Sequence, residues 1–140
     1  MLRKTGIAAT VLLAGGAFLV TGAAAVTPLS GQYVNVGTAQ VQVLPGGKSA
    51  YVSITGTIGI TGVAVSLPSP VKITNGSFSY SGKTIWRWAT PPVRELPGTG
   101  TITGTFTSPK NLTLSYNLKR GGSSLKKSNV KLTFSAATTK

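Results

Sequence analysis

The stretch SGKTIWRWATPPVREL, residues 81–96, gathers the chemically distinctive side chains of this 140-residue chain. It holds both tryptophans, Trp86 and Trp88, two arginines, a Pro-Pro pair and Glu95, the one acidic residue. Read as a strand, Ile85 to Trp88 puts Trp86 and Trp88 on one face and Arg87 on the other. Facing solvent, such a pair is a platform on which a sugar ring stacks, or an anchor at a membrane interface. Facing inward, it is the largest apolar plug available to a core otherwise built from Val, Ile and Leu. The inward placement is the expectation for at least one ring. Arg94 and Glu95 are neighbours and diverge in extended chain, so Glu95 is expected to pair with a cation elsewhere, such as Arg87.

The residue inventory excludes most catalysis. The chain has no His, no Cys and no Asp, and a single Glu. General acid–base work draws on those side chains tuned towards neutral pH. Two-carboxylate glycoside hydrolysis, a Ser-His-Asp triad and a Cys-His pair cannot be assembled. Zinc has neither thiolate nor imidazole ligands here, and a calcium cage would have one carboxylate. A Ser–Lys dyad remains, with no motif to support it. The expectation is a protein without catalysis, cofactor or metal.

One apparent motif dissolves on inspection. Gly76 to Thr84, GSFSYSGKT, resembles a phosphate-binding loop, but it has five residues between its glycines where the motif needs four. The Ile-Trp-Arg-Trp that follows reads as a strand, not as the helix whose N-terminal amides receive the phosphate.

Charge is the stronger signal. Lys and Arg number 14 against 1 acidic residue, a formal charge of +13. Met1-Leu2-Arg3-Lys4 is a basic start, Gly6 to Val20 is apolar, and Ala23-Ala24-Ala25 offers a cleavage site, so residues 1–25 read as a secretory signal peptide. An uncleaved anchor is the alternative, weakened by the Gly- and Ala-rich run. Residues 26–140 then form one exported domain that no disulfide can staple. So one-sided a charge repels itself and draws the chain towards polyanions: teichoic acids, anionic lipids, acidic polysaccharides or released DNA. Seven cations fall in residues 110–140, and Lys119, Arg120, Lys126 and Lys127 bracket Gly121-Gly122-Ser123-Ser124. With Lys131 they are the candidate polyanion-binding residues, expected to crowd one hairpin loop; the plainer reading is a solvated loop whose lysines blunt a sheet edge. Specific nucleic-acid recognition is not expected, because no run interleaves exposed aromatics with glycine and basic residues. Thr101, Thr103, Thr105 and Thr107 make a threonine ladder, as do Ser53, Thr55 and Thr57. Regular arrays of this kind bind ice or sugar hydroxyls, though threonine is also an ordinary exposed strand residue.

The elements that must position these groups are strands. Val41 and Val43 alternate with Gln40 and Gln42; Leu112, Leu114, Tyr116 and Leu118 with Thr113, Ser115 and Asn117; Val130, Leu132 and Phe134 with Lys131, Thr133 and Ser135. Period-two alternation marks half-buried strands. Gly37-Thr38, Pro45-Gly46-Gly47, Pro68-Ser69-Pro70, Asn75-Gly76, Ser108-Pro109 and Gly121-Gly122 read as turns between them. No window after residue 25 sustains helical spacing. The predicted fold is all-β: an antiparallel sandwich with Ig-like, Greek-key or jelly-roll connections, with a closed β-barrel as the alternative.

Three segments, Val71-Lys72-Ile73-Thr74-Asn75-Gly76-Ser77-Phe78-Ser79-Tyr80, then Ile102-Thr103-Gly104-Thr105-Phe106-Thr107-Ser108-Pro109, then a closing strand through Phe134-Ser135-Ala136, resemble a group of small secreted bacterial proteins. That resemblance implies a β-sandwich and export, and no activity. In this chain Ile85 to Gly100 intervenes where the group passes quickly from one strand to the next.

The sequence therefore points to a non-catalytic, secreted or cell-surface binding protein that associates with anionic cell-wall polymers or lipids. Two other readings stand beside it: a carbohydrate-binding module using Trp86, Arg87 and Trp88, and an interaction protein meeting a secreted partner through the Pro91-Pro92 loop. Ligand identity and oligomeric state are not legible in the residues.

Overall fold

The structure, a computed structural model, describes residues 26–89 and 94–136. The leader 1–25 and the Pro91-Pro92 loop lie outside the described residues, as does Lys140 among the C-terminal cations.

Nine strands account for most of the described residues: β1 (Gly31–Asn35), β2 (Ala39–Val43), β3 (Ser49–Ile58), β4 (Thr61–Ser66), β5 (Val71–Lys72), β6 (Ser77–Trp88), β7 (Glu95–Ser108), β8 (Asn111–Arg120) and β9 (Ser123–Ala136). The all-β antiparallel class expected from the alternation is the one observed. All nine strands belong to one sheet, in the order β2-β1-β9-β8-β7-β6-β4-β3-β5, and β2 also pairs with β3. That last pairing closes the hydrogen-bonded order into a ring of eight strands, with β5 added on β3 beside the end of β4. Apart from the β9–β1 closure, the step from β4 to β6 and the short β3–β5 pairing, sheet neighbours are consecutive in the chain. The connections are thus those of a meander, and the Greek-key or jelly-roll connections expected from the sequence are not the ones used. Short turns at the predicted Gly and Pro positions make consecutive antiparallel pairing the shortest available path.

A closed ring of eight strands has an interior just wide enough for side chains to fill it. The alternation places Tyr33, Val41, Val43, Val52, Ile54, Val65, Trp86, Ile102, Phe106 and the β8 series Leu112, Leu114, Tyr116 and Leu118 there, all buried. The stretch that reads as an insertion after Ile85 is the far half of the longest hairpin. β6 and β7 stay in register from Ser77↔Thr105 to Arg87↔Glu95. The same continuity excludes the phosphate-loop reading, since β6 runs as strand straight through Lys83 and Thr84.

The closure between β1 and β9 is brief, from Val34↔Thr133 to Gln32↔Ala136. Beyond it β9 is held from the other side by β8, through a bulge where Leu114↔Val130 steps to Tyr116↔Lys127. Asn129 takes the left-handed conformation there (φ 57°), and its N–H donates to Ser115 Oγ at 3.0 Å. Asn tolerates this geometry better than most residues.

Tyr33 fastens the opposite end of the ring. Its ring packs edge-on against Phe106 and Phe134, with centroids 5.2 and 5.3 Å away. Its hydroxyl accepts from the Leu29 N–H at 2.8 Å and donates to the Pro109 carbonyl at 2.6 Å, tying the incoming chain to the β7–β8 turn. Burial pushes the phenol pKa above 10.0, with the Leu29 backbone hydrogen bond opposing. Because the folded protein prefers the neutral phenol, this contribution is fully present below pH about 10 and is lost as pH rises through the raised value. Tyr33→Phe is expected to lower neutral-pH stability by about 1–2 kcal/mol through the lost hydrogen bonds. It should also flatten the alkaline fall in stability, as measured by urea denaturation between pH 8 and pH 11. An unchanged alkaline slope in the variant would show that Tyr33 does not carry it.

Candidate functional site

The outer face of the β6–β7–β8–β9 region is built row by row from the strand register. Lys83 pairs with Thr99 and Thr99 with Lys119. In the next row Ser81, Thr101, Asn117 and Lys126 stand abreast, and further down come Ser77, Thr105, Thr113 and Lys131. Paired residues of antiparallel strands point to the same side. These positions are polar because they face water, while their neighbours along each strand fill the interior.

The face is not flat. Gly98 and Gly100 are inward positions of β7 with no side chain to keep the strand away from the core. A Cβ at Gly98 would lie 2.5 Å from Trp86 Nε1 and 2.7 Å from the Lys119 carbonyl oxygen. One at Gly100 would lie 2.6 Å from Leu118 Cδ2 and 2.8 Å from the Asn117 carbonyl oxygen. The β7 backbone therefore rests directly on Trp86 and Leu118, and outside it forms the floor of a trough walled by β6 and β8. Two adjoining depressions make up the trough. One is about 480 Å³ and is lined by Lys83, Thr99, Lys119 and Arg120. The other, about 410 Å³, is lined by Ser81, Thr101, Asn117 and again Thr99 and Lys119. Each has room for a unit the size of one sugar or phosphorylated polyol.

Three cations meet at the upper end of this trough. Neighbouring strands are about 4.8 Å apart, which sets the Lys83 and Lys119 backbones about 10 Å apart with Thr99 between them. Arg120 donates through Nη1 to the Pro97 carbonyl at 3.0 Å, which holds its guanidinium over the same end. The lone carboxylate does not oppose them, because Glu95 pairs with Arg87 as the sequence suggested. That pair is exposed and worth about 0–1 kcal/mol.

The expected cluster of Lys119, Arg120, Lys126, Lys127 and Lys131 is only partly brought together. The β8–β9 turn is tight, and strand alternation divides the five. Lys119, Lys126 and Lys131 stand on the outer face, whereas Lys127 falls opposite the inward-facing Tyr116. Lys131 is three rows from Lys119 and belongs to no common pocket with it. Lys83, absent from that cluster in the sequence reading, is the residue that completes the site. Its position in the rejected phosphate-loop look-alike gave no signal, because its partnership with Lys119 exists only through the β6–β7–β8 register.

The tryptophan platform needs correction. Trp86 is fully buried and donates through Nε1 to the buried Thr84 Oγ1 at 3.1 Å, so it offers no surface to a ligand. Trp88 is half-buried against the same core, its ring centroid 6.3 Å from that of Trp86. Arg87 points outward, and its charge is taken up by Glu95. A third depression is lined by Trp88 and Arg87 themselves with Thr55, Gly62, Ala64 and Ala89, and its surface is almost wholly apolar. The threonine ladder does face outward along β7, and Thr99 and Thr101 are part of the trough floor.

Filling the close approach under the trough is expected to be costly. Gly98→Ala places a methyl against both an indole and a backbone carbonyl and should destabilise by about 1–3 kcal/mol. Gly122→Ala, in a turn where no heavy atom lies within 4 Å of the added carbon, should change stability by about 0.5 kcal/mol or less. Urea midpoints of the two variants make the comparison, and equal values would contradict the packing described. Compared with protein-family models, with curated proteins and with solved structures, the chain matches none.

Proposed function

We propose that this protein is a non-catalytic, exported binding protein that holds anionic cell-wall polymer or anionic lipid on its basic outer face. The observation that carries the reading is the convergence of Lys83, Lys119 and Arg120 on one trough while the only carboxylate of the chain is occupied by Arg87. A surface lysine is usually balanced by acidic neighbours, and here the field at the trough is of one sign. Such a field raises the local concentration of polyanions and speeds their capture. The basic leader followed by an apolar run, and the resemblance of residues 71–136 to small secreted bacterial β proteins, support export.

Binding of this kind is screened by salt. Affinity for a purified anionic wall polymer is expected to fall about tenfold or more between 50 and 200 mM salt, as counterion release requires. Lys83→Gln with Lys119→Gln should lower affinity at low salt and flatten that dependence. Lys48→Gln with Lys72→Gln removes the same charge near β5 and should do much less. Salt-independent binding would sink the electrostatic reading. An equal loss from the control pair would show that net charge, and not the trough, does the holding.

A further inference from the structure

The trough is chemically graded along its length, and the grading carries information about the ligand. At the upper end stand the three cations Lys83, Lys119 and Arg120. One row further along β7 the lining changes to Ser81, Thr101 and Asn117, which carry hydroxyl and amide groups and no charge. Thr99 and Lys119 belong to both halves, so a single ligand lying along β7 meets them in turn.

We infer that the trough selects a phosphodiester-linked polyol, seating a phosphate among Lys83, Lys119 and Arg120 and the adjoining hydroxylated carbons on Thr101, Ser81 and Asn117. The inference rests on the polyanion reading above and narrows it to one ligand chemistry. A site meant for charge density alone, such as a run of condensed phosphates or sulfates, gains nothing from the neutral Ser81, Thr101 and Asn117, which separate the three cations from the rest of the face; Lys119 borders this half and Lys126 stands beyond Asn117 in the same row. A bilayer surface is a poor match as well, because the lining includes no large apolar side chain to enter the lipid. A polyol phosphate has the matching order of groups: one negative charge, then several hydroxyls, then the next charge.

Two further features fit. Among the described residues, the side chains of Ser81, Thr99, Thr101 and Asn117 make no hydrogen bond to the rest of the protein, whereas the nearby Ser115 hydroxyl is used by the Asn129 N–H. Their donors and acceptors are free for a ligand. Thr99 and Thr101 are also β-branched, with restricted χ1, so the floor hydroxyls are held in few orientations before binding and little freedom is lost on contact.

The test compares three probes at equal phosphate concentration and 150 mM salt: poly(glycerol phosphate), inorganic polyphosphate, and vesicles containing phosphatidylglycerol. The expected result is that poly(glycerol phosphate) binds at least fivefold tighter than polyphosphate and competes the protein off the vesicles. Thr101→Val, a substitution suited to an exposed strand position, should remove that preference by weakening poly(glycerol phosphate) more than polyphosphate, with circular dichroism verifying the fold. Polyphosphate binding as tightly as the polyol polymer, or Thr101→Val leaving the preference intact, overturns the inference while the polyanion reading stands. Vesicles outcompeting the soluble polymer overturn it in favour of a lipid surface. Failure of all three probes to bind overturns both readings together.

Discussion

Strand β7 reaches the core because Gly98 and Gly100 place nothing between its backbone and the side chains of Trp86 and Leu118. Most of what distinguishes this molecule follows from that approach. On the inside it lets a fully buried indole, the largest side chain in the chain, fit into a narrow ring with its Nε1 satisfied by Thr84. On the outside, side chains of β6, β7 and β8 border the shallow depressions along the same strand. Core packing and candidate site are two faces of one strand. A side chain added inward at either glycine would press on both.

The ring explains how a chain without cysteine holds itself together. Closing a sheet removes the edges that otherwise invite pairing with other chains. Here the closure through β1 and β2 is short, and the upper part of β9 beyond it carries Lys126, Lys127 and the Asn129 bulge. Leu125 of that segment lies against Gly56 of β3, which continues the closure by side-chain packing where hydrogen bonds stop. Lysines along β9 therefore have a structural use that is independent of any ligand. This is the physical reason for looking to the trough and not to the count of cations in the hairpin.

Charge sets the remaining constraint. A chain with 14 cations and 1 acidic residue has no internal means of neutralising its surface. The single carboxylate is placed across from Arg87 at the head of β6 and β7, away from the trough floor. Lys83, Lys119 and Arg120 are left facing one another across neutral hydroxyls. Like charges in this arrangement repel, and an anion placed between them would relieve the repulsion.

Much of the fold was legible in the residues because strand alternation is a local property. The inward series Leu112, Leu114, Tyr116, Leu118 and the turns at Asn75-Gly76 and Gly121-Gly122 could be read from period and turn chemistry alone. The Arg87–Glu95 pair was accessible for a similar reason, since one carboxylate in a hairpin has few partners. What the sequence did not contain was register. Whether Trp86 faced a ligand or the core, whether sheet neighbours followed the chain or crossed over, and which lysines stood together all depend on how strands far apart in the chain line up. Lys83 and Lys119 are separated by 36 positions and become neighbours of one threonine only when β7 runs between them. Composition alone determined that this protein is basic, β-forming and poor in catalytic groups. The tertiary structure decided where its charge converges, because a one-residue slip in pairing would send every one of those side chains to the other face.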